Sequence, residues 1–354
     1  MIRWASKQLF AGLVVLAAMA ASAAQAADCS ALQTGIDREK LIFYVTDGAR
    51  ADKIGAAWYE LEGKLGSAAE WLKLAPYRDG DPAEAVMNAR STADFAAKEV
   101  ARLRAELKTM PEKGPSFPPV FFWPDGWQRL AFAVLDSLEL QSKYLKQEAD
   151  AVAAGDFEEV ARIVQARNED LSGFDKYFAA FDNQMVQLLP KRHPEHWLMV
   201  MRIHWHGLFD LYAARDETRD GDETREATLK IIEKLNQLAR DIGADVPAFE
   251  ATLAEHRQNL QPYFETLACD PEKAEAALDE YLQTYSDYAP LARETIDLLR
   301  EYARIEVDYL NNGPTKEVFE RYDAVSFRYE EVARKASDLW SLRAKLLTTA
   351  IAGK

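Results

Sequence analysis

From Phe157 to Leu188, apolar residues recur every three or four positions: Phe157, Val160, Val164, Leu171, Phe174, Phe178, Phe181, Met185 and Leu188. Only Arg167 breaks the row. A strand repeats its faces with period two, so this spacing predicts one long amphipathic helix. Asp156 stands before it as an N-cap, and Glu158 and Glu159 fall in the first turn, where the helix dipole favours negative charge. Pro190 closes it.

The same rhythm recurs along the chain. Val86, Ala89, Ala93, Ala96, Val100, Leu103, Leu107 and Met110 form a second seam, whose alanines allow a neighbouring helix to approach closely. Asp81-Pro82 before it reads as a helix start. Asp270-Pro271 opens a helix carrying Ala274, Leu278, Tyr281, Tyr285, Tyr288 and Ala292, bent near Pro290. Gly313-Pro314 opens the last one, with Val318, Tyr322, Val325, Tyr329, Val332, Ala336 and Leu339. No segment reads as a strand with a partner. The expected fold is all-α, an antiparallel bundle of eight or nine long amphipathic helices. Shifting the chain by 158 positions pairs Leu140 with Leu298, Tyr144 with Tyr302, Asp150 with Asp308, Gly155 with Gly313, and Val160 with Val318. This suggests two related bundle halves, 27–190 and 191–354.

Residues 1–26 read as a signal peptide. Arg3 and Lys7 give a positive start, Leu9 to Ala24 is apolar, and Ala24-Gln25-Ala26 fits a signal-peptidase site. The apolar run is short for a bilayer span, and no later segment is long and apolar enough to cross one. The expectation is therefore a periplasmic protein with no integral membrane segment after processing. Losing Arg3 and Lys7 lowers the 43 basic residues to 41 against 58 acidic ones, a net charge of −17. That opposes binding to nucleic acid, which needs dense Lys and Arg, and to anionic lipid headgroups.

Three features could carry function. The run from His193 to His206 holds four of the five histidines, with Met199 and Met201. Thioether and imidazole suit copper. If the run is helical, His196 shares a face with Met199, and His206 with Asp210. His196 and His206 lie about 15 Å apart along such a helix, too far for one metal, so each pair would be a half-site. His204 would then lie on the apolar side with Trp197, Val200 and Leu208, and the whole segment could equally be core filling between halves. His256 reads as an isolated surface residue. The second feature is the stretch from Pro111 to Trp127, where five prolines stiffen a segment rich in aromatic rings. Phe121, Phe122, Trp123 and Trp127 could stack on a sugar or grip a peptide, or strap the bundle end. Third, Cys29 and Cys269 could form a disulfide in an oxidising compartment.

Signatures of nucleophilic, phosphate-binding, dinucleotide-binding and zinc-protease chemistry (GxSxG, GxxxxGK, GxGxxG, HExxH) are missing. The expected function is a non-catalytic helical binding protein of the bacterial cell envelope, with an envelope protein or glycan as partner. Two alternatives are a periplasmic copper-type metal binder using His196, Met199, His206 and Asp210, and a glycan-acting enzyme with an unidentified carboxylate.

Overall fold

The computed structural model describes residues 35–75, 82–110, 127–189, 191, 193–218 and 220–352. Over these residues the chain is an all-α bundle of ten helices with no strand. They are α1 (Arg38–Leu74), α2 (Ala83–Leu107), α3 (Trp127–Ala154), α4 (Phe157–Leu188), α5 (Pro194–Ile203), α6 (Leu208–Asp216), α7 (Gly221–Ala268), α8 (Pro271–Ser286), α9 (Tyr288–Asn312) and α10 (Lys316–Ala352).

The start signals act through hydrogen bonds. The Asp156 carboxylate accepts from the Glu159 amide at 2.9 Å, and that of Asp270 from the Glu272 and Lys273 amides at 3.1 and 3.3 Å. Each satisfies donors that the first helical turn leaves open. Asp81 lies outside the described residues, and α2 begins behind Pro82 without a side-chain cap. Gly155 and Gly313, paired by the 158-residue shift, both end helices at positive φ (71° and 75°).

The first and last helices, α1 and α10, pack along one another. Glycine permits the approach: a Cβ on Gly63 would lie 2.6 Å from that of Ala333, and one on Gly55 would lie 3.3 Å from the Trp340 ring. α1 feeds two cores. Its first half gives Leu41, Tyr44, Val45 and Ala49 to a core built with Phe249 and Phe264 of α7 and Leu278 of α8. Its second half gives Leu61, Leu65 and Leu72 to another, closed by the alanine seam of α2 and by Leu135, Leu138 and Leu145 of α3. The α2 seam is buried from Val86 to Met110, as its spacing predicts. Among the described residues no helix is long and apolar enough to cross a membrane.

Three local predictions need correction. α4 has the predicted ends and only part of the predicted face: Leu171 and Met185 are buried and Val160 and Phe178 pack on the second core, but Phe157 and Leu188 are 52% and 63% exposed, and Asn168, Ser172, Asp175 and Asp182 are buried alongside the apolar row. The His193–His206 run is not one continuous helix. α5 stops at Ile203, and Gly207 at φ 85° turns the chain into α6. The helix after Pro271 is two helices that meet at Asp287, rather than one bent near Pro290.

Candidate functional site

Between α1 and α10, under α5 and α8, lies a chamber of about 210 Å³. Trp58 and Tyr59 of α1, Tyr281 and Tyr285 of α8, Tyr288 of α9 and Trp340 of α10 contribute rings to its wall. Asp52, His193, Glu195, Arg202 and Arg343 supply its polar groups. A largely apolar enclosure with a few convergent polar groups is the ordinary form of a small-molecule site.

Arg343 is the centre of this arrangement and is only 7% exposed. Its Nη2 donates to the Tyr285 hydroxyl at 2.7 Å and lies 3.4 Å from Glu195 Oε1. The Tyr285 hydroxyl in turn donates to Glu195 at 2.8 Å. The guanidinium carbon sits 4.2 Å from the Tyr285 ring centre and 4.5 Å from that of Trp340, within cation–π range. Its Nε is 3.8 Å from Asp52 Oδ2, too long for a hydrogen bond, and has no hydrogen-bond acceptor among the described residues. Burial pushes the Asp52 carboxyl up to about 6, with Arg343 opposing and Glu195 adding to the rise. On the next turns of α1, the Tyr59 hydroxyl pairs with that of Tyr288, and burial lifts Glu62 to about 7 against the pull of Arg202.

His193 and His256 meet edge to face beside the chamber, ring centres 4.6 Å apart. His256 is therefore not a surface residue: it is 3% exposed, and burial, then His193 and Arg343, hold its pKa down at about 3.

The predicted metal ligands part company. The buried His196 sets Nδ1 3.1 Å from the Leu189 carbonyl, while Met199 lines the chamber. His206 does not pair with Asp210, because the Gly207 turn ends the shared helical face that pairing requires. Its two ring nitrogens instead lie 3.1 Å from Asp175 and 3.1 Å from Asp182, both on α4. Burial alone would lower its pKa, but the hydrogen bonds to those carboxylates carry it up to about 9. Asp210 accepts from Ser172, and His204 reaches Asp245 of α7 at 2.9 Å instead of lying on an apolar face. Among the described residues no group of three or more His, Cys, Asp and Glu side chains could hold a metal ion.

Phe121, Phe122 and Trp123 lie outside the described residues; Trp127 opens α3. Cys29 also lies outside them, and Cys269 closes α7 in the left-handed conformation, φ 54°.

A second chamber of about 260 Å³ is lined by Glu70, Lys73, Arg167, Arg215, Asp216 and Tyr302 among others. Its charges are spoken for. Glu306 holds Lys73 at 3.2 Å and Arg215 at 2.7 Å, Asp216 holds Arg215, and Glu148 holds Arg167 at 2.7 Å. This mutual pairing reads as a brace between α1, α6 and α9.

Sequence reasoning missed the chamber residues Asp52, Glu195 and Arg343. No local signal marks them: Asp52 stands beside Arg50 and Lys53, and Glu195 follows Lys191 and Arg192, as surface charges do. Compared with family models, curated proteins and solved structures, the chain shows no match.

Proposed function

We propose that this chain is an exported, acidic, non-catalytic binding protein of the bacterial cell envelope, and that its ligand is a small organic molecule held in the chamber between α1 and α10. The observation that carries this reading is the chamber itself: about 210 Å³ walled by aromatic rings, into which Asp52, Glu195, Arg202 and Arg343 bring polar groups. Cys29 and Cys269 are proposed to tie the mature N-terminus to the end of α7, as an exported protein permits.

A copper site is less well supported, since His206 is engaged on both sides by carboxylates. Asp52 supplies the raised carboxyl that a glycan-acting enzyme would use as an acid. Yet Asp52 and Glu195 both face the one guanidinium of Arg343, an arrangement suited to holding a ligand.

Native mass spectrometry of the protein purified from its own envelope tests the reading. A bound organic molecule should appear, and Ala51→Leu, which fills the chamber from α1, should abolish it while circular dichroism stays helical. Peptide mapping of the same sample without reductant should recover Cys29 joined to Cys269. If no small molecule travels with the wild-type chain, and none from a broad metabolite panel changes the emission of Trp58 and Trp340 or the melting temperature, the binding reading is wrong.

A further inference from the structure

We propose that the groove between α2 and α10, over the second half of α1, docks a cationic amphipathic helix of a protein partner. The groove shares no lining residue with the α1–α10 chamber, so this proposal stands apart from the small-molecule reading.

The groove arises from how three helices meet. α2 and α10 both pack on α1. Gly55 faces Trp340 and Gly63 faces Ala333, so α10 runs antiparallel to α1. The gap left between α2 and α10 is an open trough of about 530 Å³ floored by α1. Its lining residues recur at helical spacing along both walls: Glu84 and Met87 on α2, and Asp323, Phe327 and Glu330 on α10. The α10 stripe covers about 10 Å of helix axis, which is two turns. Helices on either side give a third helix ridges and grooves to pack against.

The apolar side chains show that this face is incompletely covered. Trp71 from α1, Met87 from α2 and Phe327 from α10 line the trough together, and they are 39%, 67% and 74% exposed. Phe327 is the most exposed large hydrophobic among the described residues. One exposed apolar residue is ordinary, but three converging from three helices on one groove mark an interaction surface.

Charge selects the occupant. Glu84, Asp323 and Glu330 line the trough, and among the described residues no Lys, Arg or His does. Glu84 and Glu330 are exposed and make no ion pair among the described residues. Their neighbours Glu60 and Glu331, by contrast, each hold a cation of their own helix. A second copy of this chain would bring like charges against these carboxylates. A helix with lysine or arginine flanking an apolar stripe meets both demands: the stripe covers Trp71, Met87 and Phe327, and the cations meet the acidic walls.

Fluorescence anisotropy of a labelled peptide of about 18 residues, leucines at three-four spacing with lysines between them, tests the proposal at about 0.15 M salt. The purified chain should bind it and raise its helical circular dichroism. A peptide of the same composition without that spacing should bind at least about tenfold more weakly, and one with glutamate for lysine should not bind. Phe327→Ser, at an exposed position, should weaken binding about tenfold. Phe43→Ser, at an exposed apolar residue outside the groove, should leave it unchanged. Glu84→Gln with Glu330→Gln should weaken binding about three- to tenfold and flatten its salt dependence. The charge-matched pair Glu233→Gln with Glu250→Gln, exposed on α7, should not. Equal affinity for both lysine peptides, or losses matched by the control variants, would reduce the effect to general attraction to an acidic surface and overturn the proposal. Failure of the spaced lysine peptide to bind would also overturn it. So would sedimentation showing a wild-type dimer that Phe327→Ser dissolves, because the groove would then belong to a second copy.

Discussion

His206 provides the sharpest test of how the helices around the chamber are held. Its ring bridges Asp175 and Asp182 at 3.1 Å on each side, and the amide of Gly207 donates to Asp175 at 2.7 Å. A neutral imidazole donates from one nitrogen and presents a lone pair at the other, so one carboxylate would then face a lone pair. Only the imidazolium serves both. This explains why the folded chain holds the proton up to about pH 9, against 6.5 when unfolded. Because the folded pKa is the higher, the contribution is fully present below pH 6.5 and is lost as pH rises through 9. At 1.36 kcal/mol for each pKa unit, the difference amounts to about 3 kcal/mol. The side chain is 15% exposed, so solvent screening removes little of it. Against a typical stability of about 5–15 kcal/mol this is a large share. Urea unfolding at pH 6, 7.5, 9 and 10 should show the wild type losing about 3 kcal/mol more than His206→Gln over that range, since the glutamine amide does not titrate. Tyrosines and lysines titrate in both proteins and cancel in the comparison. Parallel curves for the two proteins would show that the doubly bridged imidazolium is not what binds the α5–α6 turn to α4.

Two further substitutions probe the frame. Gly63→Ala should destabilise the chain by about 1–3 kcal/mol by forcing α1 from α10 at Ala333, despite the better helix propensity of alanine; the double variant with Ala333→Gly should recover most of the loss in thermal melts. Glu306→Gln removes a charge that holds both Lys73 and Arg215, but Asp216 still holds Arg215 and the Lys73 side chain is 45% exposed, so it should cost about 1–3 kcal/mol in denaturant unfolding. A loss below 1 kcal/mol would mean that Glu70 and Asp216 compensate.

Much of the architecture is legible in the sequence, because helix seams and caps are local. The α2 seam is buried as its spacing requires, and Asp156 and Asp270 cap the helices they precede. Where periodicity fails, a specific residue accounts for it. Gly207 costs nothing at positive φ and so ends the face that would join His206 to Asp210. α4 fails in another way. Leu171 and Met185 of its apolar row do turn inward, yet the buried face also carries Asn168, Ser172, Asp175 and Asp182. The reason lies elsewhere in the chain: His206 from the α5–α6 turn and Arg202 from α5 supply the cations that let Asp182 be wholly buried. A helix read by itself holds no trace of partners that its neighbours bring.

The same logic explains why the chamber cannot be read from spacing. Asp52 stands near the start of the described chain, Glu195 in its middle and Arg343 near its end, so no motif links them. Each looks like a surface charge on an amphipathic helix, and on composition alone that reading is the better one. What overturns it is the glycine path along α1, which lets α10 approach closely enough for both helices to turn polar groups into a shared interior. Buried ion pairs are seldom the most stable filling for such a space, since apolar residues of similar volume usually do as well or better. A core that nevertheless holds Arg343, Asp52 and Glu195 beside about 210 Å³ of space is the feature on which the proposed binding reading rests. Net charge hides this arrangement: 58 acidic against 43 basic residues give no sign of the two guanidinium groups, Arg202 and Arg343, that line the chamber.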